Sequence, residues 1–245
     1  MGGIKIFIGE ILPYITLIVF LSGITHKILK WTKAAQGKMT LYPAASTPGD
    51  KWKRIVKEIF IFENLFKGNK PLWAGTWVFH VSIALILIGH VRVVTDFPLL
   101  WQVLRMGKED VDTLSTTLGG AAGLVIFIMG IYLLVRRLAV QRVREISDKD
   151  DYLTLALILG IIITGDIMRF VTHFDLAQSR EYFVALFTFK SVAVPGDPAF
   201  LLHFFLGQLL IIYIPFGKFL HIPGTFYSKS IIYQDQNSPP NFAQA

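Results

Sequence analysis

The chain has no cysteine among its 245 residues. That absence excludes disulfides, thiolate zinc sites, thiolate-held iron–sulfur clusters, covalent c-type haem attachment and cysteine nucleophiles together. Any redox metal must therefore be held by histidine, methionine or oxygen ligands. Charge is also scarce: Asp, Glu, Lys and Arg make up 17% of the residues, against about 25% in a soluble domain. No internal repeat is visible. What fills the chain instead is apolar, 53% of it, with a mean hydropathy of +0.54. Such a composition belongs in a bilayer. The formal charge of +7 then reads as membrane-flanking cations rather than as a nucleic-acid footprint, and nucleic acid is not expected as a partner.

Five stretches are apolar enough to cross a hydrocarbon core about 30 Å thick: about residues 6–28, 74–94, 114–135, 152–170 and 199–220. The runs are continuous rather than alternating, so they are helices, because only helices and closed barrels satisfy their backbone in lipid. The expected fold is an all-α integral membrane protein, one domain over residues 1–245 built as a five-transmembrane-helix bundle. Lys5 precedes an apolar run that continues past Leu21 without a small-residue cleavage site, so the first run reads as a retained span. Seventeen of the 24 Lys and Arg residues fall on one side of this topology and seven on the other. The positive-inside rule then places the N-terminus outside and the C-terminus in the cytoplasm of a multi-pass protein of the cell membrane.

The connection 30–72 becomes a cytoplasmic loop. After a turn-rich patch, Tyr42 to Asp50, residues Trp52, Ile55, Ile59, Phe62 and Phe66 recur at helical steps, which predicts an amphipathic helix. Two readings fit it: a helix that docks a partner, and a helix lying in the headgroup layer with its lysines snorkelling. The second is preferred. Residues 222–245 form a cytoplasmic tail, extended or disordered beyond Gln234.

Four of the six histidines lie in two of the spans: His80 and His90 in the second, His203 and His221 in the fifth. A lone histidine in a membrane helix is often a packing residue. Four paired on two helices are harder to explain that way, because buried polar groups in lipid are costly without partners. The two spans run antiparallel, so His80 falls level with His221 and His90 with His203. Neutral imidazole is a good iron ligand, and two imidazoles fill both axial positions of a haem, an arrangement for moving electrons rather than for binding substrate at iron. The spacings differ, however. Ten residues rise about 15 Å and eighteen about 27 Å, so the helices must tilt or bend. Pro215 is a candidate bend, and Gly75, Gly89, Gly207 and Gly217 are small enough to admit a flat macrocycle.

At these residues the chain resembles the gamma-subunit family of respiratory nitrate reductase, the di-haem cytochrome b that anchors that enzyme. The resemblance rests on Leu72-Trp-Ala-Gly-Thr-Trp-Val-Phe-His80 through Gly89-His90, on Gly119-Gly-Ala-Ala-Gly123 through Arg136-Arg-Leu138, and on Leu202-His203 through Ile214-Pro-Phe-Gly-Lys-Phe-Leu-His221. It implies two haem b groups, an inner one on His80 and His221 and an outer one on His90 and His203. It also implies a quinol site near the outer haem, with menaquinol as substrate. The longer first loop departs from the nitrate branch and is similar to the membrane cytochrome of sulfite-reduction-associated, heterodisulfide-reductase-like complexes. That likeness implies a cytoplasmic iron–sulfur subunit as partner, among other subunits of a membrane redox complex.

Several other polar residues are candidates. Arg92 would neutralise a haem propionate or snorkel. Arg136 and Arg137 are inner-boundary anchors or propionate contacts. Asp166 and Arg169, three apart, would form a local ion pair or, in the functional reading, Asp166 would accept a quinol proton. His173 is a candidate for the quinol pocket, and so is Lys108, close to but out of register with a lysine that the nitrate branch uses near quinol. Glu10 and His26 read as solvated span ends. The expected function is electron exchange between the menaquinol pool and a cytoplasmic iron–sulfur partner, as a subunit of a quinol-oxidising or quinone-reducing oxidoreductase. Two alternatives stand beside it: a cytochrome anchor for a nitrate reductase, and a haem-free transporter or structural anchor, against which stands the lack of the repeats and broken span pairs that transporters show.

Overall fold

A computed structural model describes residues 2–34, 47–173 and 175–232. Most of the turn-rich patch and the tail beyond Gln234 lie outside the described residues. The helices are α1 (Gly2–Lys33), α2 (Pro48–Phe60), α3 (Glu63–Gly68), α4 (Lys70–Val91), α5 (Pro98–Val103), α6 (Lys108–Ala139), α7 (Gln141–Glu145), α8 (Lys149–Phe170), α9 (Leu176–Phe187), α10 (Pro198–Tyr213) and α11 (His221–Ile232). Among the described residues there is no strand. Four helices, α1, α4, α6 and α8, are long and apolar enough to cross a membrane. Their outward residues, Leu85, Leu87 and Ile88 on α4 and Leu124, Val125 and Ile128 on α6 among them, are large and apolar, the surface that lipid solvates.

The expected fifth span differs. Its helix, α10, stops at Tyr213 after 16 residues, about 24 Å of rise and short of the hydrocarbon thickness. Pro215 is the cause: it donates no hydrogen bond and drives the residue before it out of the helical region. The chain turns there, with Phe216 N and Gly217 N both donating to Tyr213 O. A Cβ on Gly217 would lie 2.4 Å from the Tyr213 ring, so only glycine lets the turn close. His221 therefore opens a separate helix, so the rise of about 27 Å expected over eighteen residues of one helix does not apply to it.

The described chain falls into two compact units, Met1–Thr16 with Gly75–Leu210, and Leu17–Ala74 with Ile211–Ala245. In the first, Phe79 of α4, Ile126 of α6 and Leu155, Leu159 and Ile162 of α8 form a buried cluster. Lipid provides no hydrophobic drive between helices, so close packing of small residues must hold them. Gly130 serves this purpose: a Cβ there would sit 2.8 Å from Leu159 Cδ2. A second cluster joins Met168, Tyr182, Leu186, Val194 and Phe200. The start of α1 is fastened to it at a π-helical turn, Phe7–Ile11. There Gly9 O accepts from the Tyr182 hydroxyl, and Ile8 O accepts from Gln208 Nε2 at 3.1 Å. The wide turn gives these carbonyls side-chain partners on α9 and α10.

In the second unit α11 packs against α2. The Tyr227 hydroxyl donates to Trp31 O in the last turn of α1, and the two rings stack at 5.8 Å. Pro48 opens α2 behind the N-cap Thr47, whose hydroxyl oxygen accepts from Asp50 N.

Candidate functional site

Within the first unit the structure brings His90 and His203 together, their ring centres 6.1 Å apart and their planes 16° from parallel. His90 sits on the last turn of α4. Its Nδ1 lies 2.7 Å from Ile86 O, one turn back along its own helix. His203 sits in the first half of α10, with Nδ1 3.0 Å from Ile161 O and 3.1 Å from Thr164 Oγ1. The Thr164 hydroxyl donates to Gly160 O at 2.8 Å, leaving its oxygen to accept from the imidazole. Gly165 completes the seat: a Cβ there would approach His203 Cε1 to 3.2 Å. A carbonyl acceptor at Nδ1 keeps the proton on that nitrogen and the lone pair on Nε2, the tautomer a metal ligand needs.

The separation also suits a metal. Two imidazole nitrogens on opposite sides of one ion, each about 2.0 Å from it with its ring centre a further ~1.1 Å behind, put the ring centres about 6 Å apart. Of the four glycines expected to admit a macrocycle, Gly89 and Gly207 have no described atom within 4 Å of where a Cβ would lie. Gly75 and Gly217 are instead filled by the rings of Tyr132 and Tyr213. The two open positions are those next to His90 and one turn beyond His203.

His80 repeats the local pattern, with Nδ1 2.8 Å from Thr76 O, one turn back on α4, and Phe79 beside it edge-on. His221, in the second unit, has Nδ1 3.3 Å from Lys218 O. All four ligand candidates thus hold Nδ1 against a backbone carbonyl.

The other candidates are scattered. Asp166 and Arg169 do not form the expected local ion pair. Arg169 Nη2 donates to Ser115 O on α6 at 3.1 Å, and a Cβ on Gly123 would lie 2.2 Å from Asp166 Oδ1. Both side chains reach across into the small-residue stripe of α6 instead of meeting on α8. His173 adopts a left-handed backbone, φ 54°. It lines a cavity of about 240 Å³ with Thr172, Gln178, Asp197 and Phe200, and Phe200 lies three residues before His203 on α10. Lys108 is the exposed first residue of α6. Arg137 bridges the end of α6 to the start of α8, 3.2 Å from Asp151 and 2.7 Å from Ser147 Oγ, while Arg136 is half-buried.

Arg92 does not snorkel. It is buried at 8% exposure, with Nε 3.0 Å from Asp96 and Nη2 2.9 Å from Asp112. Arg180 closes the cluster: Nη1 pairs with Asp96 at 2.8 Å, while Nε and Nη2 donate to Arg92 O. Burial works against charge on both Arg92 and Asp96. The hydrogen bonds and attraction between them and their partners outweigh it, leaving the Arg92 value raised and the Asp96 carboxyl lowered. A lowered carboxyl stabilises the fold above the ordinary aspartate range, and the contribution is lost as pH falls through the folded value. Arg92→Met is expected to cost about 1–2 kcal/mol, kept modest because Asp96 and Asp112 remain partly solvated. Monodispersity after stepwise heating in detergent checks it, and an unchanged midpoint contradicts it.

Sequence reasoning missed Thr164 and Gly165 as the seat of His203, and missed Asp96, Asp112 and Arg180. The signal for the seat was a Thr-Gly-Asp run inside an otherwise aliphatic span. The charged cluster joins residues up to 88 positions apart and leaves no local pattern.

Helices of spanning length, with two histidines of α4 and α10 close together and each with Nδ1 on a backbone carbonyl, define a multi-pass membrane protein. A family model described as nitrate reductase gamma subunit matches residues 64–235, and the chain belongs to that family. It is 29% identical over 267 residues to a protein of Archaeoglobus fulgidus named Hdr-like menaquinol oxidoreductase cytochrome b-like subunit, covering 93% of this chain and 79% of that one. The Archaeoglobus profundus protein of the same name is 25% identical, covering 92% and 78%. Respiratory nitrate reductase 2 gamma chain of Escherichia coli is 25% identical over 230 residues, covering 89% and 90%.

Proposed function

We propose that this chain is the membrane cytochrome b subunit of a menaquinol-linked oxidoreductase complex, passing electrons between the quinol pool and a cytoplasmic iron–sulfur subunit. The observation that carries the proposal is the His90–His203 pair at 6.1 Å, with both Nδ1 atoms on backbone carbonyls. Haem b, when bound, would be held by His90 and His203 and would supply a one-electron iron couple. The chain's own residues do the positioning: Ile86 O and Ile161 O fix the tautomers, Thr164 and Gly165 orient His203, and Gly89 and Gly207 leave room beside the pair. A second haem b is proposed on His80 and His221, which share the Nδ1-to-carbonyl arrangement. Arg92, Arg136 and Arg137 are the cations proposed near propionates.

Quinol oxidation releases two protons with its two electrons, so the quinol site needs a wet polar path. His173, in its cavity beside Phe200, is the first candidate acceptor, and Asp166, Arg169 and Lys108 are the others. With the N-terminus outside, protons leave outward while electrons move inward, and turnover separates charge across the membrane. The names of the Archaeoglobus relatives support the menaquinol reading and membership of a multi-subunit complex. The proposed complex is of the heterodisulfide-reductase-like type associated with sulfite reduction.

The family match and the Escherichia coli relative favour a second reading, a cytochrome anchoring a nitrate reductase. Subunits that co-purify with the chain separate the two: a cysteine-rich iron–sulfur protein supports the first, a molybdopterin subunit the second. A visible spectrum tests both at once, since purified protein without reducible b-type absorption removes each. Gly207→Leu fills the open position beside His203 and is expected to lower haem content by roughly half while the protein remains monodisperse. Haem content equal to the unsubstituted protein would show that the macrocycle does not lie there.

A further inference from the structure

The apolar arc of α2 is split between two environments. Ile55 is fully buried and Ile59 half-buried, so one edge faces the protein. The other edge is Trp52, Val56 and Phe60, 56%, 49% and 67% exposed. These three recur every four residues, and exposed Lys53 and Lys57 run directly alongside them. Both neighbouring spans hold this helix by their ends. Trp73, in the first turn of α4, donates its indole N–H to Ile61 O at the C-terminus of α2, 2.7 Å away. Phe66 packs edge-on against the same indole. α2 also packs on α11, which is fastened to Trp31 in the last turn of α1. One span's exit and the next span's entry lie at the same membrane boundary, and α2 is strapped to both. The family match begins at residue 64, beyond this helix.

We infer that α2 is an interfacial helix whose Trp52, Val56 and Phe60 edge enters the surface of an anionic phospholipid bilayer, with Lys53 and Lys57 on lipid phosphates. The charge pattern and the tether choose lipid over a protein partner. A polar face bearing lysine beside an aromatic edge is the composition of helices lying at the acyl–headgroup boundary. Basic residues are drawn to an anionic surface. A helix tied at Ile61 to the start of α4 and packed on the helix that holds the end of α1 has that surface within reach without any further ordering.

The absence of cysteine makes the test direct. Val56→Cys and Lys57→Cys each create a unique thiol at an exposed position of the full-length protein, which is spin-labelled in nanodiscs of phosphatidylethanolamine and phosphatidylglycerol. The expected result is a ratio of oxygen to nickel-chelate accessibility several-fold higher at Val56→Cys than at Lys57→Cys. The ratio at Val56→Cys is expected to fall when Lys53 and Lys57 are both replaced by glutamine. Equal nickel access at the two positions overturns the inference, as does protection of Val56→Cys that appears only when a cytoplasmic subunit is added. Indifference to the lysine replacements also overturns it.

Discussion

His203→Ala is expected to remove one of two haems, halving the reduced-minus-oxidised b-type absorbance and stopping reduction by menaquinol. The expectation rests on the proposal that two imidazoles 6.1 Å apart hold one haem between them. With His203 gone, His90 alone would remain to hold the group, and the Thr164 and Ile161 contacts would have no imidazole to orient. His90→Ala should have the same effect. The double variant His90→Ala/His203→Ala should lose no more than either single one, because residues that act as one unit are not additive. His26→Ala, at an exposed position near the end of α1, should keep both haems. Pyridine haemochrome quantitation against protein reads the result. Two full haems in His203→Ala, or two lost from the double variant, would contradict the shared iron. Loss of both haems from either single variant with a monodisperse protein would mean that the two sites depend on each other.

Four of the spans and the approach of His90 to His203 were legible because both are carried by local pattern. Apolar runs of about twenty residues specify helices α1, α4, α6 and α8 regardless of their neighbours. The placement of His90 level with His203 follows from antiparallel order alone. What escaped depends on which helix faces which. Asp166 and Arg169 have the spacing of an i, i+3 pair. The glycines at 119, 120 and 123 bring the α6 backbone close enough that Arg169 reaches Ser115 O and Asp166 lies against Gly123. A backbone carbonyl in an apolar medium competes well with a carboxylate that must be desolvated. Likewise the amphipathic period of α2 revealed an apolar face but not that the protein covers only one edge of it. Pro215 was visible as a bend. That it ends the helix outright depends on Gly217, whose missing Cβ lets the turn fold onto the Tyr213 ring.

The same break makes Gly23 a position where a single added methyl is expected to do structural harm. A Cβ on Gly23 would lie 2.5 Å from Pro215 Cβ and 2.9 Å from its Cγ. At Gly130, by contrast, the obstructing atom is a Leu159 methyl at the far end of a side chain that can rotate away. A pyrrolidine ring cannot rotate, and Pro215 is itself fully buried. Gly23→Ala must therefore move α1 away from the turn or displace the turn. Overpacking of this kind costs about 1–3 kcal/mol, set against the gain of up to about 1 kcal/mol from replacing glycine by alanine within a helix. The net expectation is a loss of thermal stability of about 1–2 kcal/mol. The turn leads through Lys218 to His221, so a second consequence is expected at the haem proposed on His80 and His221, seen as a shifted or weakened absorption component while the His90–His203 component is unchanged. Gly68→Ala, with nothing within 4 Å, provides the control, since it adds the same methyl at the end of α3 without a clash and away from the proposed haem seat, and should be as stable as the parent or slightly more so. Equal heating midpoints for Gly23→Ala and Gly68→Ala in detergent would show that the contact between α1 and Pro215 yields, and that the break after Tyr213 is not held by it.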